Sequence, residues 1–146
     1  FRQSTARAIA GMLREVQIEV EVRPSETATL ISDLNRGRFE LTLLQVPEVI
    51  EPHVLSWFFE SSRVPGAGSD GANRWRYRNE ELDRLFELGR TTIDRSARRK
   101  AYSRAQEILA RDLPVLPLWQ PDTIAVIRRG TEFDVPRDGR FGTLAF

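Results

Sequence analysis

Residues 79–119 read N-E-E-L-D-R-L-F-E-L-G-R-T-T-I-D-R-S-A-R-R-K-A-Y-S-R-A-Q-E-I-L-A-R-D-L-P-V-L-P-L-W, and their punctuation decides the fold. Asn79 and Asp94 carry short side-chain oxygens of the kind that accept backbone N–H bonds at a helix start. After Asn79, Leu82, Leu85, Phe86 and Leu88 fall on one side of a helix. After Asp94, Ala97, Ala101, Tyr102, Ala105, Ile108 and Leu109 repeat at intervals of three and four. Asp112 to Pro114 closes this second helix. Val115 to Trp119 then reads as a proline-bounded strand entering the core, with a further short strand at Thr123 to Ile127.

Toward the N-terminus the periodicity alternates. Ser4 or Thr5 offers a cap for a helix carrying Ala8, Ile9, Met12, Leu13 and Val16. Ile18, Val20 and Val22 then alternate with Glu19, Glu21 and Arg23, the period of a strand with one wet face, until Pro24 stops it. Ser25 offers a cap for a second helix with Leu30, Ile31 and Leu34, and Gly37 suits the left-handed position past its end. Phe39 to Val46 is again an apolar, strand-like run. Helix, strand, helix, strand predicts an α/β lobe, three-layer-like, with a mostly parallel sheet flanked by helices and residues 1–146 forming a single domain.

Only Phe1 to Gln3 precede the first helix, whereas a crossover helix normally follows a strand. The sheet is therefore expected to lack its first strand, leaving an edge open to self-association. The chain begins at Phe1 and not at Met, directly before helix-forming residues, and reads as a piece of something longer. Between the two halves lies an acidic break, Pro47 to Pro52. A short apolar segment, His53 to Phe59, follows it. Ser61 to Arg74 carries three Gly, three Ser and one Pro and reads as a surface loop.

Composition narrows the function. With 22 basic and 21 acidic residues the net charge is +1, and the arginines are scattered. No concentrated basic face is present for nucleic acid, and no polybasic segment for anionic lipid. Hydrophobic residues make up 40% of the chain, enough for a core; no signal peptide or membrane span is visible. The absence of cysteine excludes disulfides and thiolate metal sites.

Catalytic chemistry finds few candidates. His53 is the only histidine, beside Pro52 at the start of an apolar segment, where a cap or a half-buried polar group is the simpler reading. A zinc site would need several carboxylates, and no spacing supplies them. Gly66, Gly68 and Gly71 follow no strand, so they do not make a nucleotide-binding turn, and no Gly-x-Ser-x-Gly elbow occurs. Glu48 and Glu51 stand three apart and could act as paired carboxylates in a hydrolase; a solvated acidic turn is the alternative. Trp57, Phe58 and Phe59 read as core, and Trp75 and Tyr77 as a loop re-entering it.

Three stretches resemble the family 5 extracellular solute-binding proteins of ABC transporters, the oligopeptide, dipeptide and nickel binders. The first runs from Ala6 to Val22, A-x-x-I-A-G-M-L-R-E-V-Q-I-E-V-E-V, with Gln17 where the family usually has Gly. The second is G-R-F-E-L-T-L-L-Q, Gly37 to Gln45. The third spans Asn73 to Trp119. The resemblance implies most of the C-terminal lobe of a two-lobed clamp in the periplasm or outside the cell. It implies no enzyme activity, no cofactor and no metal. The ligand would be a peptide or another small polar solute, delivered to ABC permease subunits by the full-length protein.

In peptide-binding relatives an acid follows the second stretch, in a D-x-x-D-P-like run, and pairs with the ligand's amino group. Here the residues are P-E-V-I-E-P. Alignment on Pro52 places Glu48 at that acid; alignment on Phe39 without a gap places Val49 there. Glu48 is the first choice and Glu51 the second, with Gln45 as a polar contact. Asn73 matches the family's loop Asn near the cleft, where it can also hold its own loop. A structural or interaction module without its own ligand is the rival reading.

Overall fold

The structure, a computed structural model, describes residues 2–46, 51–66, 71–120, 126 and 128–130. The chain divides into two units, Phe1–Val115 and Leu116–Phe146. The first contains five α-helices: α1 (Arg2–Glu15), α2 (Thr27–Arg36), α3 (Val54–Phe59), α4 (Glu80–Thr91) and α5 (Arg95–Asp112), with a 3₁₀ turn at Ser61–Arg63. The second has neither helix nor strand among its described residues.

The centre of the first unit is the α4–α5 hairpin. The Asn79 side chain accepts the Leu82 N–H, and Asp94 accepts the Ser96 N–H, so both predicted caps form. Three residues, Thr92 to Asp94, turn the chain between the helices. Leu82 and Phe86 of α4 then bury against Tyr102 and Ala105 of α5, with Leu55, Phe59, Tyr77, Leu85 and Leu109 packed around them. Gly89 allows this closeness: a Cβ there would meet the Tyr102 ring at 2.6 Å. The hairpin ends where Leu113 takes a left-handed conformation, φ 45°, just before Pro114.

The expected parallel sheet is not there. Among the described residues no strand forms, and the chain is helical with extended connections. Residues 18–26 and 38–46 leave the helices as predicted, yet no backbone hydrogen bond joins one run to the other. A strand is defined by a neighbour about 4.8 Å away that completes its ladder, and among the described residues neither run has one. Instead α1, α2 and the two runs surround a cavity of about 320 Å³ lined by Ala6, Ile9, Val22, Leu30 and Leu43. Without a sheet to cover, α1 buries only Ala10, and Met12 and Val16 stay exposed. The strand expected at Val115 to Trp119 is likewise absent. That at Thr123 to Ile127 lies outside the described residues except for Ala125's neighbour Val126.

Helix ends account for two further details. α1 starts at Arg2, so Ser4 and Thr5 lie inside it and not at its cap position. α2 begins after Glu26, and Ser25 Oγ bonds the Glu26 carbonyl instead of an N–H of the helix. Both α1 and α2 finish in the same motif. Gln17 N–H reaches Arg14 O and Ile18 N–H reaches Leu13 O; Gly37 N–H reaches Leu34 O and Arg38 N–H reaches Asp33 O. The motif needs a left-handed residue, which Gly37 supplies at φ 71° and Gln17 at φ 64°. The conformation at Gln17 gives the physical reason for glycine at the corresponding position of the resembling family.

Candidate functional site

Of the four sequence candidates, Gln45, Glu51 and Asn73 are described, and these three do not line a common described pocket. Glu48 lies outside the described residues, as do Pro47, Val49 and Ile50. Gln45 is exposed, and its Oε1 accepts a bond from Arg2 Nη2 at 3.1 Å. Asn73 is fully buried, at 0% exposure. Its Nδ2 donates to Glu60 O at 3.1 Å and Tyr77 O at 2.8 Å, and its Oδ1 accepts the Tyr77 N–H at 3.1 Å. All three bonds go to the main chain. They explain why Gly71, Ala72 and Asn73 are buried where a surface loop was expected.

Glu51 has a partner that no spacing announced. Its Oε1 is ion-paired with Arg98 of α5, 47 residues away, and its Oε2 accepts the His53 N–H at 2.8 Å. From Glu51 the chain winds directly into α3, through Val54 N–H to Glu51 O, Leu55 N–H to Pro52 O and Ser56 N–H to His53 O.

His53, at the N-cap of α3, is half-buried and uses both ring nitrogens. Nδ1 lies 2.9 Å from the Tyr102 hydroxyl and Nε2 lies 3.3 Å from Ser56 Oγ. The Glu51 carboxylate meets the His53 backbone and not its ring, so these residues do not form a serine–histidine–acid relay. Burial pushes the Tyr102 phenol upward, against the opposing pull of Arg98.

The aromatic residues of α3 divide. Phe58 is buried and stacks on Trp75 at 6.2 Å between centroids, and Phe59 tilts against the same ring at 5.5 Å. Trp57 faces outward, 43% exposed, with the Arg63 guanidinium 4.8 Å over its ring. Beside Pro52, one face of α5 with Arg95, Arg99, Tyr102 and Gln106 borders a hollow of about 530 Å³. Neither this hollow nor the cavity under α1 is lined by Gln45, Glu51 or Asn73. Among the described residues no group of His, Asp and Glu is placed to hold a metal ion, and no helix is long and apolar enough to cross a membrane.

The chain is 27% identical over 119 residues to the probable D,D-dipeptide-binding periplasmic protein DdpA of Escherichia coli (strain K12); the match covers 79% of this chain and 22% of that protein. It is 38% identical over 53 residues to the peptide transport periplasmic protein SapA of Haemophilus influenzae, covering 36% of this chain and 9% of that protein. No family model matches the chain, and no solved structure does. The chain therefore spans less than a quarter of the length of the relatives it matches. These matches relate it in sequence to one periplasmic protein of probable D,D-dipeptide binding and one of peptide transport.

Proposed function

We propose that the chain is the ligand-capture lobe of a periplasmic solute-binding protein serving an ABC importer. It takes a peptide or another small polar solute in a cleft shared with a second lobe. The observation that carries this reading is the match to the probable D,D-dipeptide-binding protein over 119 residues, at 27% identity. Glu48 is the group that pairs with the ligand's amino terminus, and Gln45 lies three residues before it. Asn73 acts from behind, holding the segment before α4 in place. In the full-length protein the closed clamp is handed to the permease subunits.

One lobe offers half of the contacts, so binding by this chain alone is weak, with Kd in the millimolar range, about 4 kcal/mol. Titrating the labelled chain with D-alanyl-D-alanine and following amide shifts by NMR tests this. Shifts confined to residues near 45–53, and abolished in Glu48→Gln, support the reading. An unperturbed spectrum at saturating dipeptide, or shifts indifferent to Glu48→Gln, removes Glu48 from the site.

A second reading, self-association, is favoured by the two runs at 18–26 and 38–46. They are not joined by backbone bonds, and they expose Ile18 at 50% and Leu41 at 65%. Sedimentation velocity over a wide concentration range decides it. Growth of a dimer boundary supports pairing of these runs between two copies of the chain, and a single monomer boundary throughout excludes it.

A further inference from the structure

The arginines of the α4–α5 hairpin follow one pattern with two exceptions. Arg84, Arg90, Arg98, Arg104 and Arg111 each have a carboxylate partner. Arg95 and Arg99 have none among the described residues. The two stand four residues apart on α5, a spacing at which side chains are neighbours and like charges repel. They also occupy the first two turns of the helix, where the positive end of its dipole disfavours cations. No acidic residue lies in that first turn, and Asp94 at the cap is engaged with the Ser96 N–H at 2.8 Å.

Arg95 and Arg99 line one hollow of about 530 Å³ beside Pro52. Arg98 lies between them and is already held. Its Nε donates to the Gly89 carbonyl at 3.0 Å, its guanidinium carbon sits 5.0 Å over the Tyr102 ring, and Glu51 offsets its charge. Tyr102, with its hydroxyl 2.9 Å from His53 Nδ1, is a fixed side of the hollow. Ser103 and Gln106 extend the lining with groups that donate hydrogen bonds. The stripe from Arg95 to Gln106 runs about 16 Å along the helix. No Asp or Glu belongs to the described lining. A merely solvated basic face gives no reason for this grouping; here cations gather against their own repulsion around a concavity of donors.

We propose that this hollow binds a small molecule carrying a multivalent oxyanion, phosphate or clustered carboxylates, held between the guanidinium groups of Arg95 and Arg99. The planar fork of each arginine can give two parallel N–H···O bonds to such a group, and the bound anion relieves the repulsion between the two. The hollow falls within the range of about 300–1,000 Å³ that small-molecule sites occupy, so the rest of the ligand extends past Tyr102 toward Ser103 and Gln106. The site makes no use of the groups proposed for solute capture and stands or falls independently of them.

The test is titration of the whole isotope-labelled chain with inorganic phosphate and with citrate, at constant ionic strength balanced by chloride, followed by NMR at backbone amides and arginine Nε. Saturable shifts at Arg95, Arg98, Arg99 and Ser103 are expected, and the tighter of the two anions identifies the head group. Arg95→Gln and Arg99→Gln each weaken binding about threefold, and the double variant about tenfold. Both positions are exposed and without an acidic partner among the described residues, so these variants keep the fold. Arg99→Lys retains the charge, loses the fork and falls between. Arg7→Gln, which removes an exposed charge from α1, leaves the affinity unchanged.

Shifts that never saturate, that chloride reproduces, or that Arg7→Gln weakens as much as Arg99→Gln are a diffuse ionic effect and overturn the site. Phosphatidylglycerol vesicles that shift these amides when neither soluble anion does would make the face a membrane contact, and they overturn the small-molecule assignment equally.

Discussion

The Tyr77 hydroxyl donates to Asp112 Oδ2 at 2.6 Å, tying the chain just before α4 to the last residue of α5. Asn79 Nδ2 reaches the Tyr77 hydroxyl at 3.1 Å and Asp112 Oδ2 at 3.3 Å, closing a small polar ring at the open end of the hairpin. Asp112 is held down at about 2 by Arg111 first and Tyr77 second. Burial, then the bond to Asp112, pushes Tyr77 up to about 12.

The two groups give opposite pH limbs. Folding favours ionised Asp112, so its contribution is complete above its ordinary value of 3.8 and disappears as pH falls through about 2. Folding favours protonated Tyr77, whose contribution is complete below pH 10 and is lost as pH rises through about 12. Denaturant midpoints measured against pH are expected to keep most of the acid limb in Tyr77→Phe, because Arg111 remains, and to lose the Tyr77 share of the alkaline limb. A tyrosine titrating at its ordinary value in the wild-type chain would contradict the contact.

Asn73 offers a sharper test of buried polarity. Asn73→Ala strips partners from two carbonyls and one N–H, and is expected to cost about 3 kcal/mol in urea unfolding. Asn73→Asp sets a carboxylate against the carbonyls of Glu60 and Tyr77. It should be at least as damaging near neutrality and recover in part when acid protonates the new side chain. A variant within 1 kcal/mol of wild type at pH 7 would show that water takes over these bonds.

Two glycines predict opposite signs. At Gly89 an added methyl meets the buried Tyr102 ring, so Gly89→Ala is expected to destabilise by about 1–3 kcal/mol despite alanine's better helix propensity. Gly11 lies within α1 with nothing inside 4 Å, so Gly11→Ala should gain up to about 1 kcal/mol. Melting temperatures moving in the same direction for both would refute the close approach of the helices.

Gln17 holds a left-handed conformation that costs a residue with a Cβ about 1 kcal/mol. Gln17→Gly is expected to raise the stability of the Phe1–Val115 unit by roughly that amount, less the added freedom of the unfolded chain. A lower denaturant midpoint in this variant would mean that the side chain has a role of its own.

The helices were legible because their signals are local. Asn79, Asp94 and Gly37 work within four residues of themselves, and the stripes on α4 and α5 meet each other directly. The runs at 18–22 and 39–46 were equally clear as apolar and extended. A sheet, though, depends on neighbours that periodicity does not supply, and without them those runs form no strand. The loop-holding task that a short amide side chain suggests at Asn73 is seen in its three backbone bonds. The ion pair of Glu51 left no mark in the sequence, since Arg98 lies 47 residues away on a helix rich in arginine.

A turn of only three residues joins α4 to α5, whereas residues 16–26 separate α1 from α2. Contacts that close short loops form early and open late. In a refolding chain the hairpin from Asn79 to Leu113 is thus the natural nucleus, onto which Glu51 to Phe59 docks and after which the N-terminal third arrives. Limited proteolysis should leave this piece as the most persistent product.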